Sequence, residues 1–168
     1  MSTSKIQKAS QSYLDRGWRL VRLNAGTKVP KSSAWQNATP GPNDFEPKDN
    51  IGIQLGQKSG HLVDIDFDNA WARRLSQLPC FFGEAPSFRR KSLPATEPGH
   101  RLVICHDAPD KIEVFGFSTK GEKEAVAPLK LSKLVILEVR AGKGFTVFPP
   151  STLGDDQLVW GDADETSS

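Results

Sequence analysis

"SGHLVDIDFD", residues 59–68, decides the reading of this chain. Leu62, Val63, Ile65 and Phe67 mark a β-strand, and Asp64, Asp66 and Asp68 recur at every second position. Side chains two apart on a strand project to the same side. The three acids therefore share one face, while Ile65 and Phe67 turn into a core. Neighbouring carboxylates on a half-buried strand repel and raise one another's pKa. A cation relieves that repulsion, and hard divalent ions such as Mg2+ and Mn2+ are commonly held by one or two carboxylates together with substrate phosphates. The plain alternative is a strand that ends in solvent with hydrated acids, and Asp68 suits a helix cap better than a ligand.

Outward from this strand the pattern is rich in β structure. Residues 51–55, "IGIQL", form a strand, joined through "GQKSG" (56–60) to a second strand over 61–67, with Gly56 and Gly60 suited to positive φ. Before them, Ser4 caps a helix carrying Ile6, Ala9, Tyr13 and Leu14, which Gly17 stops, and 18–23 alternates as a strand. Residues 24–50 are a long loop with at most a short helical turn, and loops of that length are usually functional. Asp68 or Asn69 caps a helix over about 69–78 with Trp71, Leu75 and Leu78 on its inner stripe. A basic stretch and a Pro-rich loop (88–99) lead into the strand "RLVIC". Further strands are expected over 111–117, 131–140 and 144–148, with a charged excursion between the first two and "PPS" closing the last. The expectation is one α+β domain built on a mixed sheet.

Composition is that of a globular chain, with 37% apolar and 25% charged residues. No run approaches a membrane span and no signal-peptide core precedes the first helix, so a cytoplasmic location without membrane contact is expected. Cys80 and Cys105 lack CxxC spacing, which argues against structural zinc and for two buried thiols. All 22 Lys and Arg lie before residue 144, whereas five of the 20 acids lie in the last 14 residues, leaving residues 1–154 with a net charge of +7. A basic body with a short acidic tail suits a polyanionic partner.

A second apolar run also ends in an acid. "KLVILEVRAG" (133–142) places Glu138 and Arg140 on one strand face, where they form either a surface ion pair or part of a site. If this strand neighbours the first, Asp64, Asp66 and Glu138 form a three-carboxylate cluster of the kind that holds two metal ions at a phosphoryl-transfer centre. His100 stands at the mouth of a strand behind Pro98 and Gly99, with Arg89, Arg90 and Lys91 shortly before it. Imidazole, guanidinium and ammonium groups in that company suit triphosphate oxygens. His61 and His106 lack such company and read as bystanders.

Taken together, "RGW", "KVP" with Trp35, "NIGIQLGQKSGHLVDID", "RRKSLPATEPGH", "LEVRAGKGFTVFPPSTLGD" and a final "VW" resemble the primase-polymerase domain of the archaeo-eukaryotic primase superfamily. This is the form found in phage and plasmid replication proteins, and the likeness spans about residues 11–160. It implies an RRM-like sheet packed against a smaller N-terminal α/β lobe, with the active site in the cleft between. It implies a catalytic domain over 1–160, with 161–168 as a disordered acidic tail. Asp64 and Asp66 resemble the first-motif metal ligands, Glu138 the third-motif acid, and His100 the second-motif histidine that contacts nucleotide phosphates. The second motif departs from the common Ser-x-His or Gly-Gly forms, which leaves Ser92 as the stand-in for a polar contact.

The resemblance implies a metal-dependent nucleotidyl transferase, a DNA primase and/or DNA polymerase, using Mg2+ or Mn2+ at a two-metal site. Arg90 and Lys91 join His100 on the phosphates, and Arg140 orients Glu138. Lys28 and Lys31 touch phosphate or template backbone in this reading, and Trp35 stacks a base. Expected partners are a single-stranded DNA template, nucleoside triphosphates, and a helicase domain of the same polypeptide or a replisome partner in a prokaryotic host. Ribonucleotide or deoxyribonucleotide preference stays open. The rival readings are a non-catalytic single-strand-binding module and a carboxylate-cluster nuclease. A nicking relaxase is disfavoured, because there is no His-x-His pair and the only tyrosine, Tyr13, falls in a helix.

Overall fold

The computed structural model describes residues 3–75, 82, 84–108, 113–117 and 134–161. The first helix, α1 (Lys5–Asp15), begins at the expected cap: Ser4 Oγ accepts from Gln7 N at 3.2 Å, and Gln7 Oε1 accepts from Ser4 N at 3.0 Å. Ile6 and Tyr13 turn inward, and the Tyr13 hydroxyl donates to Pro149 O at 2.6 Å. Strands β1 (Leu20–Leu23), β2 (Asn50–Gln54) and β8 (Phe145–Phe148) form a small antiparallel sheet in the order β1-β2-β8.

The larger sheet comprises β3 (Leu62–Phe67), β4 (Ser87–Arg90), β5 (His100–Ile104), β6 (Glu113–Phe117), β7 (Leu134–Arg140), β9 (Thr152–Leu153) and β10 (Asp156–Trp160). Its order is β6-β7-β3-β5-β4-β10-β9. The α+β class is as expected, but every pair among the described strands is antiparallel rather than mixed.

The segment "IGIQL-GQKSG-HLVDIDF" is not a paired hairpin. Its two strands belong to different sheets, because Gly56 (φ 71°, ψ −147°) turns the chain out of the small sheet and Gly60 (φ 65°) starts it into the large one. The chain crosses again between β7 and β8. The two crossings touch: Leu55 N donates to Gly144 O at 3.0 Å, and Gly56 packs directly on the backbone of Gly142. The sheets share a core in which Leu20, Ile53 and Phe148 of one meet Leu62, Phe88, Leu102 and Leu158 of the other. On the far face of the large sheet, Ile65, Phe67 and Leu137 pack with Ala72 of the second helix, α2 (Ala70–Leu75), and with Phe82.

Asn69 caps α2, its Oδ1 accepting from Ala72 N at 2.9 Å. The side chains of the expected stripe Trp71, Leu75 and Leu78 lie outside the described residues, as do 118–133, Cys80 and the tail after Gly161. Cys105 is exposed, against expectation, because it follows the last residue of β5 on a turn. Three strands were not anticipated, β4, the short β9 and β10. The basic "FRR" lies within β4, and Asp156, counted with the acidic tail, opens β10 and accepts from Ser92 N at 3.1 Å and from the Ser92 hydroxyl.

The long loop 24–50 holds one short 3-10 turn, Pro42–Asp44, and is tied down by a buried acid. Asp49 accepts from Lys31 Nζ at 2.6 Å, Arg22 Nη2 at 3.1 Å and Glu46 N at 3.1 Å. Burial alone would raise its pKa; the bonds from Lys31, Glu46 N and Arg22 outweigh that and hold it below 3.8. Asp49→Asn is expected to cost about 2–3 kcal/mol at neutral pH, since it removes charge-assisted bonds from a buried acceptor. A group with a lowered folded pKa stabilises above its unfolded value and loses that contribution as pH falls through the folded one. Urea unfolding should therefore show a gap between parent and variant at pH 7 that closes below pH 3.8. A gap that persists in acid would show that the charge is not its source.

Candidate active site

The register of β3 with its two neighbours builds the site. Asp66 is paired with Glu138 on β7 and with His100 on β5, and Asp64 is paired with Arg140. Directly opposed residues of antiparallel strands share a face, so two acids of one strand meet an acid, an arginine and a histidine of its neighbours. Four of the expected residues are thus collected around Asp66, although they are spread over some seventy positions of sequence.

Depth separates the acids. The Asp64 side chain is 0% exposed, whereas Asp66 retains 13% and Glu138 23%. Asp64 Oδ2 accepts from the Thr146 hydroxyl at 2.6 Å, and its Oδ1 lies 3.0 Å from His100 Nδ1. Burial would raise the Asp64 pKa, but His100, Thr146 and Arg140 together keep it below the usual carboxylate value. Burial would likewise lower that of His100, and the charge and hydrogen bond of Asp64, with Asp66, raise it instead. Both directions favour the carboxylate–imidazolium form of the pair. Phe88 stacks flat on the imidazole, with centroids 4.3 Å apart and planes 8° from parallel, which fixes the ring.

In front of this row lies a cleft of about 390 Å³. Asp66, His100 and Arg140 form its base, with Lys28, Arg73, Arg90 and Ser92 around them. Asp68 also lines it; burial and the charges of Asp66 and Glu138 push its carboxyl upward. Lys28 reaches the cleft because its loop is tied to the β9–β10 turn, Gly154 N donating to Gly26 O at 2.9 Å.

Asp64 lies buried beneath this cleft, Glu138 beside Asp66 does not line it, and three further expected residues stand apart from it. Lys91 is exposed, and its backbone N–H pairs with Gln157 O at 2.7 Å. Lys31 is engaged by Asp49 and by Glu46 Oε2 at 3.2 Å. Trp35 packs edge-on against Phe145 at 4.9 Å, and with Lys31 it lines a separate groove of the small-sheet lobe. Thr146, Phe88 and Arg73 were not anticipated. Thr146 arrives from the other sheet and Arg73 from a helix, so no local pattern ties them to the acids.

The donor chemistry of Asp66 and Glu138 fits a hard divalent cation. Among the described residues, however, no group of three or more His, Cys, Asp and Glu side chains stands ready to hold a metal ion. The carboxylates are turned to basic partners instead: Arg140 Nη2 lies 2.6 Å from Asp66 Oδ2 and 2.7 Å from Glu138 Oε2.

Cations lining a cleft above an acidic sheet face suit the oxygens of phosphate groups. A family model described as "Bifunctional DNA primase/polymerase, N-terminal" matches residues 10–167, and the chain belongs to that primase-polymerase family. No curated protein matches it. Family membership gives the chain a primase/polymerase-type function in general, which implies a DNA template and nucleotide substrates. No helix among the described residues is long and apolar enough to cross a membrane.

Proposed function

We propose that the domain is a template-directed nucleotidyl transferase, able to prime DNA synthesis, extend a primer, or both. The observation that supports this reading is the register that puts Asp66 between Glu138 and His100 at the base of a cation-lined cleft. Asp64, Asp66 and Glu138 are the residues that would hold Mg2+ or Mn2+, Asp66 and Glu138 from the accessible side and Asp64 from behind. Divalent ions bound there would neutralise triphosphate charge and make the attacking 3′-hydroxyl more acidic.

The remaining roles belong to the chain itself. His100, kept protonated by Asp64, presents its second N–H as a charged donor to a phosphate oxygen. Phe88 prevents the ring from turning. Arg90, Lys28 and Arg140 supply the field that orients a triphosphate for in-line attack, and Ser92 stands at the rim. Residues 1–160 act as one catalytic unit in this reading. A single-stranded template and a helicase, on the same polypeptide or another, complete the reaction context.

The test supplies labelled nucleotides and a single-stranded template, with and without primer, in Mg2+ and in Mn2+. Lengthened or newly initiated products support the proposal. Salt-sensitive DNA binding without incorporation would identify a binding module, and shortening of a labelled strand would identify a nuclease. His100→Ala is expected to raise the nucleotide KM about 10- to 100-fold, the equivalent of one charge-assisted hydrogen bond. In the parent, nucleotide affinity should also fall as pH rises through the raised His100 value, since the donor N–H carries its charge only below it. An unchanged KM would make His100 a bystander.

A further inference from the structure

We infer that Arg140 is a built-in occupant of the cation position, and that it must leave before a divalent ion can bind. The inference rests on the proposed reading of Asp66 and Glu138 as metal ligands. A single nitrogen, Nη2, stands 2.6 Å from Asp66 Oδ2 and 2.7 Å from Glu138 Oε2, the point a bridging cation would take. Nε adds a second bond to the same Glu138 oxygen at 2.9 Å. A metal ion and this guanidinium compete for the same two oxygens. The charges lead the same way. Arg140 sets its positive charge directly between the Asp66 and Glu138 carboxylates, so it screens them from a dication while it stays. With Arg140 withdrawn, both carboxylates face the cation position without that charge between them.

The guanidinium has a place to go. Arg140 itself lines the cleft, beside His100 and Arg90, where a polyphosphate would offer it new acceptors. The anion draws Arg140 off the carboxylates, and the freed carboxylates take the metal. Metal and polyphosphate thus favour one another through a residue that touches both, which is a coupling between two sites. An arginine that only orients Glu138 behaves in the opposite way, because removing such a partner weakens metal affinity about 10- to 100-fold.

The experiment measures Mn2+ alone, by its free-ion electron paramagnetic resonance signal, against the nucleotide-free domain. Arg140→Gln is expected to bind Mn2+ at least about tenfold more tightly than the parent, because a positive charge beside a carboxylate shifts its cation affinity by that order. The same variant should bind inorganic tripolyphosphate in EDTA more weakly. Unchanged or weaker Mn2+ binding by Arg140→Gln, with Asp66→Asn still abolishing it, would overturn this inference and leave the metal site standing. If Asp66→Asn binds Mn2+ as the parent does, or if neither parent nor Arg140→Gln binds it, the metal reading falls and this inference with it. Should Arg140→Gln fail to fold, the unaltered domain carries the test. On titration with Mg2+, the Arg140 Nε–H resonance should move from its paired position to one that exchanges with water, and a resonance unmoved at saturation would overturn the inference.

Discussion

Asp66→Asn is expected to lower nucleotide incorporation at least about 10³-fold, the loss that follows when several kcal/mol of transition-state charge stabilisation is removed. The fold should survive it. Asp66 is partly accessible, and Arg140 keeps Glu138 as a partner when the aspartate charge is gone. Asp64→Ala is a poorer test of chemistry. It strands the Thr146 hydroxyl in the core and leaves His100 without its carboxylate partner, a change of the kind that costs about 3–5 kcal/mol. Extension assays on Asp66→Asn, with circular dichroism to establish folding, separate the two effects. Parent-level synthesis by a folded Asp66→Asn protein would remove the carboxylate row from the mechanism.

Gly56→Ala should be the most damaging single-methyl change in the fold. Gly56 adopts φ 71° and ψ −147°, a region open essentially to glycine alone. A Cβ there would lie 2.7 Å from Gly142 N and 2.8 Å from Gly142 Cα, and these are backbone atoms of the second crossing. Neither chain can yield without parting the sheets, so a loss of at least about 3 kcal/mol is expected. Gly60→Ala is the control. It shares a positive φ of 65° but meets nothing within 4 Å, so only the left-handed penalty of about 1–2 kcal/mol applies. Urea midpoints of the two variants measure the difference. Equal losses would mean that the contact between the crossings carries no weight.

Much of this was legible beforehand, and the reasons are particular. The Ser4 cap with its buried Ile6 and Tyr13, and the alternation of Asp64 and Asp66 with Ile65 and Phe67, are local patterns, written within a few residues by helical or strand period. The family likeness was readable because its motifs recur with their own spacing, and the family match over residues 10–167 agrees with it. The partition of strands between two sheets was not readable. "GQKSG" suits a hairpin turn as well as a crossing, and only the packing of Gly56 on Gly142 distinguishes them. Lys28 and Lys31 illustrate the same limit. Three residues apart in one loop, they differ in that one lines the cleft and the other is spent on Asp49.

What the sequence determined by itself is which side chains share a strand face and what chemistry they bring, since period and residue type are local properties. Which strands become neighbours was decided by tertiary structure alone. The pairing of Asp66 with both Glu138 and His100, the reach of Thr146 from the other sheet, and the seat of Arg140 between two carboxylates depend on hydrogen-bond register between segments far apart in the chain. That register follows from burying both sheets' apolar faces at once, a condition that no single segment contains.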